Sequence, residues 1–281
     1  MNYNISSSKL QHPLLKPILE KLSNYFEGMD IQFYVIGATA RDIMMTIHGE
    51  KAKRATRDLD IAIAISNWSE YDKVEEGILQ IEGFKKDLKQ KPRFIYQDTY
   101  QLDIVPFGNN MKEDDRIFWP PDESMAMSVL GFAEVKNSTK QVVIDENLTI
   151  EVASLDGIFI LKLNAWGDRH IEHNRDADDM GFILNNYLII NEERAATEHY
   201  NDIYLMDDFN PKISGAKLLG MDMAKIIGES HATKKKIIGI IKTEIDKEEQ
   251  SKLINQIIET NKSFGYEETL SCLKNIISGL K

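Results

Sequence analysis

The run Asp58-Leu-Asp-Ile-Ala-Ile-Ala-Ile65 alternates strictly, and a period of two suits a strand rather than a helix. One face of that strand is apolar: Ile61, Ile63 and Ile65 point into a core. Asp58 and Asp60 share the other face with Ala62 and Ala64, whose small side chains leave room beside the acids for a ligand. Two neighbouring carboxylates repel unless a positive group lies between them. A hard divalent cation such as Mg²⁺, or Mn²⁺, is a natural candidate.

The flanking segments narrow the architecture. Leu14, Leu15, Ile18, Leu19, Leu22 and Phe26 recur at helical spacing over residues 13–27. A short β-branched and aromatic run, residues 31–36, stops at Gly37, and residues 38–47 then read as a helix closed by Gly49. A basic segment containing Lys51, Lys53, Arg54 and Arg57 leads into the alternating strand. A helix is expected over 68–82 and strands near 94–96 and 100–105, the latter ending at the turn residues 106–110. A hairpin is expected from 142–144 and 148–152.

From Ser154, a candidate N-cap for residues 155–166, the pattern is helical throughout. Further helices are expected at 175–189, 191–206, 214–228, 230–243, 246–261 and 265–279. The expectation is an α+β protein with a mixed sheet and flanking helices in residues 1–153, followed by an all-helical domain in residues 154–281.

Composition bounds the function. Of 281 residues, 42% are apolar and 28% charged, which excludes a low-complexity or wholly disordered chain. Lys plus Arg number 34 against 45 Asp plus Glu, a net charge of −11, so broad coating of nucleic acid or anionic membrane is disfavoured. One cysteine, Cys272, permits neither an internal disulfide nor a cysteine zinc site. No export signal or membrane-spanning run is evident, and a reducing cytoplasm is the expected setting.

Three elements can carry chemistry. Asp58 and Asp60 are the first. Gly37, between strand and helix, lets backbone approach a ligand, and the helix's first N–H groups form an anion site. There Thr39 offers a hydroxyl, and Arg41 a guanidinium suited either to phosphate or to an internal carboxylate. Asp103, an acid on the otherwise apolar Gln101-Leu-Asp-Ile-Val105, needs a partner, a metal or a role as general base. His170 and His173 with Glu172, Lys234 to Lys236, and Trp119-Pro-Pro121 read as solvent-facing or loop residues.

Strand, glycine turn, helix, a strand with Asp-x-Asp and a strand with a single Asp together resemble the nucleotidyltransferase fold of the DNA polymerase β superfamily. The resemblance is closest to the AbiEii-type nucleotidyltransferases, toxins of bacterial toxin–antitoxin and phage-defence systems, whose Thr-x-Asp-hydrophobic-Asp appears here as Thr56-Arg-Asp-Leu-Asp60. A second block resembles Leu161-Lys-Leu-Asn-Ala165, Arg169 and Arg175-Asp-Ala-Asp-Asp179, and the recognisable blocks span about residues 33–180.

The resemblance implies transfer of a nucleotidyl group from an NTP to an RNA end, such as tRNA, or to a protein hydroxyl. Asp58, Asp60 and Asp103 would act as catalytic and metal-binding residues. Gly37, Ala38, Thr39, Arg41, Lys162, Arg175 and Asp176 would act at the nucleotide, and a cognate antitoxin is implied as partner. The chain departs from the family at Ala38, where Gly or Ser is usual, and at Arg175, where Lys is usual. A DxD glycosyltransferase, or a binding protein that keeps the fold without the chemistry, are the alternative classes.

Overall fold

The computed structural model describes residues 3–50, 58–108, 110–206 and 209–281. The chain divides into two compact units, residues 1–154 and 155–281.

The first unit runs β1 (Tyr3–Ile5), α1 (Leu15–Gly28), β2 (Phe33–Ile36), α2 (Gly37–Ile47), β3 (Asp58–Ala64), α3 (Trp68–Gln80) and β4 (Phe84–Lys86). It continues through β5 (Arg93–Tyr96), β6 (Tyr100–Phe107), β7 (Arg116–Phe118), β8 (Ala126–Ser128), α4 (Phe132–Lys136), β9 (Lys140–Ile144) and β10 (Leu148–Val152). Eight strands form one mixed sheet in the order β1-β9-β10-β2-β3-β6-β5-β4, and β7 with β8 forms a separate ribbon.

Its core follows the patterns in the sequence. Leu15, Ile18, Leu19, Leu22 and Phe26 bury one stripe of α1, as their helical spacing requires. In β3, Leu59, Ile61 and Ile63 are fully buried, while Asp58 and Asp60 are half-buried. Strand β6 runs past its expected end, through Pro106 to Phe107. Its partner β5 pairs only with residues 100–103, so proline falls where β6 has no ladder neighbour on that side.

The second unit is helical: α5 (Leu155–Arg169), α6 (Arg175–Ile190), α7 (Glu192–Glu198), α8 (Tyr200–Tyr204), α9 (Pro211–Ile227), α10 (His231–Asp246), α11 (Lys252–Thr260) and α12 (Tyr266–Gly279). The helix expected over 191–206 is two short ones that meet at His199, in a stretch of poor helix formers. Helix α9 starts earlier than expected because Asn210 caps the amides of Lys212 and Ile213, with Pro211 in the first turn.

Helix α11 is shorter than the 246–261 expected. Ser251 accepts from the amide of Ile254 and sets its start, after a 3-10 turn over Glu248–Gln250. Helices α9 and α12 approach at backbone distance: a Cβ on Gly220 would meet the carbonyl oxygen of Ile276 at 2.3 Å. No described helix is long and apolar enough to cross a membrane.

Candidate active site

The site is a lateral row across the first unit's sheet. Asp60 on β3 is in register with Asp103 on the parallel strand β6, and Asp103 is in register with Arg93 on the antiparallel strand β5. Paired residues on neighbouring strands project to the same face, so the two acids and the arginine stand side by side, with Asp58 two residues along. On the other flank of β3, Ile36 of β2 pairs with Asp60, which sets the following residue, Gly37, against the Asp60 side chain.

Gly37 is required there twice over. Its φ is +67°, a left-handed conformation that favours glycine, and a Cβ would lie 2.2 Å from Asp60 Oδ2. The turn thus brings the start of α2 directly onto the central carboxylate. No side chain caps that helix, whose first residues are Gly37, Ala38 and Thr39. An uncapped helix start offers free backbone N–H groups to an anion.

Thr39, expected to face phosphate, is buried, and its hydroxyl donates to the carbonyl of Asp58 at 2.8 Å. A hydroxyl has a single proton, so this bond ties α2 to the first residue of β3 rather than offering a donor to a ligand. Tyr100, on β6, hydrogen-bonds Thr39. Burial pushes its phenol well up, and the charges of Asp58, Asp60 and Asp42 add to that, so it stays protonated. The His12 ring lies against Tyr100, centroids 4.6 Å apart.

Arg41 takes the second of its two expected roles. It is fully buried, with Nε 2.8 Å and Nη2 2.5 Å from Asp42 Oδ1, and a guanidinium so enclosed is a structural ion pair instead of a phosphate contact. The basic segment 51–57, with Thr56 and Arg57, lies outside the described residues.

Asp103 finds the partner its burial demands, and that partner is Arg93. The guanidinium donates from Nε to Oδ1 and from Nη2 to Oδ2, both at 2.7 Å, a bidentate pair that takes up both carboxylate oxygens. Arg93 is held protonated by that hydrogen bonding, against the effect of its own burial, with the charges of Asp103 and Asp60 adding to it. The sequence reading had no place for Arg93. Its signal was the hairpin: Tyr96 opposite Tyr100 across a short loop puts Arg93 opposite Asp103 by counting back.

Among the described residues no group of three or more His, Cys, Asp or Glu side chains is placed to hold a metal ion. At this site both Asp103 oxygens accept from Arg93. Asp58 and Asp60 remain a fit for a hard divalent cation, because Mg²⁺ commonly takes one or two carboxylates and fills its shell with water and phosphate oxygens.

The second sequence block folds within the helical unit. Lys162 on α5 pairs with Asp176 at 3.2 Å and Asp179 at 2.6 Å, both on α6, and Arg169 grips Asp176 at 2.8 and 2.9 Å. Burial alone would raise the Asp176 pKa, but the Lys162 charge and the Arg169 hydrogen bond overcome it and hold it at about 2. Asp176 is 1% exposed. Its oxygens accept from Lys162 and Arg169. Asp179 pairs with Lys162, and Arg175 is exposed at the start of α6. His170 stacks on Trp166, centroids 4.4 Å apart.

A mixed sheet whose central strands carry Asp58, Asp60 and Asp103 against a glycine turn, followed by a helical region, is the nucleotidyltransferase fold. The model of the family described as nucleotidyl transferase AbiEii toxin, type IV toxin–antitoxin system, matches residues 21–260, and the chain belongs to that family. No curated protein matches. Among solved structures, a nucleotidyltransferase-like antigenic protein from Paracoccidioides brasiliensis is 12% identical. That match covers 89% of this chain and 94% of the other, with a TM-score of 0.42. A cyclic dinucleotide synthase from Elizabethkingia meningoseptica is 10% identical over 98% of this chain and 93% of the other, with a TM-score of 0.30.

Proposed function

We propose that this chain moves a nucleotidyl group from a nucleoside triphosphate to an acceptor hydroxyl, with Mg²⁺ or Mn²⁺ held by Asp58 and Asp60. The observation that carries the reading is the setting of Asp60, packed against the Gly37 turn on one side and in register with Asp103 on the other. A bound cation would supply electrostatic stabilisation of charge developing on the phosphoryl oxygens.

The chain's own groups do the rest. The backbone N–H groups of Gly37 and Ala38 receive phosphate oxygens at the start of α2. The acceptor oxygen bonds to the α-phosphorus, the bond from that phosphorus to the bridging oxygen breaks, and pyrophosphate leaves. The acceptor's proton passes to an Asp103 oxygen that has turned from Arg93. Arg175 is an exposed cation free to meet substrate phosphate, whereas we assign Lys162 to the buried network of α5 and α6.

The acceptor is an RNA end, tRNA-like in kind, or a protein hydroxyl, and the setting is a cytoplasmic toxin countered by a cognate antitoxin. The family supports the toxin role. The test incubates purified protein with each labelled NTP and Mg²⁺, against total RNA and, separately, total protein. Label should enter one acceptor class and vanish with the Asp58→Ala/Asp60→Ala variant. Equal labelling by both proteins would overturn the assignment.

A further inference from the structure

Three aromatic rings stand in a row on the helical unit, and none belongs to the nucleotidyl-transfer reading. Tyr200 and Tyr204, four residues apart on α8, stack with centroids 5.6 Å apart and planes 25° apart, and Phe209 continues the row from Tyr204 at 5.5 Å and 20°. Tyr200 is 53% exposed and Phe209 46%, and Leu205, next to Tyr204 in the chain, is 62% exposed. Rings this open to water add little to a core, and a contiguous aromatic patch at a surface marks a place of interaction.

The row lies in acidic surroundings. Residues 192–206 hold four acids, Glu192, Glu193, Glu198 and Asp202, all exposed. Arg194, the only Lys or Arg in that stretch, donates to both oxygens of Asp222, and Lys217 lies 3.5 Å from Asp202. Burial pushes the Tyr204 phenol up and the Glu192 charge adds to it, which sets that carboxylate beside the rings. Flat aromatic faces next to carboxylates suit a planar cation, because a guanidinium stacks on a ring and also forks to a carboxylate. RNA could stack its bases there but would carry its phosphates past the acids. A second copy would set the same acids against themselves across a two-fold axis.

We propose that the row Tyr200, Tyr204 and Phe209 is a docking surface for an arginine-rich segment of a partner polypeptide, with guanidinium groups stacked on the rings and paired with Glu192 and the exposed acids near it in sequence. This stands independently of nucleotidyl transfer.

The test titrates the full chain with a labelled Arg-Gly repeat peptide, a Lys-Gly repeat of equal length and charge, and a uridine oligonucleotide, read by fluorescence anisotropy at near-physiological salt. The arginine peptide should bind more tightly than the lysine one, since the charge is equal and only the guanidinium is planar. Tyr200→Ala/Tyr204→Ala should weaken the arginine peptide about tenfold, whereas Tyr200→Phe/Tyr204→Phe keeps both rings and should hold wild-type affinity. Glu192→Gln/Glu193→Gln, at exposed positions, should weaken it too and serves should the alanine variant fail to fold by circular dichroism. Equal affinity for the two peptides, or undiminished arginine-peptide binding by the folded alanine or glutamine variant, would overturn the proposal. So would oligonucleotide binding that the alanine variant loses, which would make the row a base-stacking platform.

Discussion

Each unit of this molecule holds a cluster of aspartates and basic side chains, and the two clusters have opposite character. In the helical unit, Lys162 pairs with Asp176 and Asp179 and Arg169 with Asp176, and both acids are buried. In the sheet unit, Arg93 pairs with Asp103, and Asp58, Asp60 and Asp103 are half-buried. A buried ion-pair network of this kind ties α5 to α6. Acids left partly open to solvent stay within reach of a ligand.

The sharpest way to break this contrast is to remove acids from each cluster and ask what is lost. Asp58→Ala with Asp60→Ala should reduce nucleotidyl transfer by at least about 100-fold while leaving the thermal midpoint close to wild type. Parallel label-transfer and melting measurements check it. In the buried cluster the losses should exchange. Lys162→Met removes the cation that Asp176 and Asp179 share in a buried setting and should cost about 3 kcal/mol of stability in urea unfolding.

Gly37→Ala probes how closely the open cluster is built. A methyl 2.2 Å from Asp60 Oδ2, on a residue with φ +67°, must displace the carboxylate or the turn. Transfer should fall steeply and stability by about 1–3 kcal/mol, both measurable on one preparation.

The smallest effect concerns pH. Asp176 titrates at about 2 when folded and near the ordinary value when unfolded, so the folded protein holds its proton less tightly. Its contribution is therefore complete above about pH 4 and is lost as pH falls toward 2. That contribution is about 2 kcal/mol. Urea midpoints from pH 6 to 2.5 should show an acid limb that Asp176→Asn flattens. An unaltered limb would assign the acid sensitivity to other groups.

The contrast also explains what could be read from the sequence. Strand β3, the Gly37 turn and α2 are local patterns, so alternation and punctuation revealed them, and with them Asp58 and Asp60. The boundary between sheet and helices was legible as a change of period. Strand β1 was not, because Tyr3–Ile5 is a strand only by pairing with Val142–Ile144 far along the chain. Arg93 escaped because an arginine at the start of a short strand has no meaning until the register sets it opposite Asp103. For Arg41, Thr39 and Asp176 the residue types suited phosphate chemistry, but burial commits them to internal partners, and burial is a tertiary property.

The central claim is that the half-buried acids of the sheet unit, and not the buried ones of the helical unit, form the nucleotide and metal site. Calorimetry of NTP binding with and without Mg²⁺ tests it most directly, on wild type, Asp58→Asn/Asp60→Asn and Asp179→Asn. The account predicts Mg²⁺-dependent binding by wild type and by any folded Asp179→Asn protein, and none by the Asp58→Asn/Asp60→Asn variant. Undiminished Mg²⁺-dependent binding after loss of both sheet acids would contradict it.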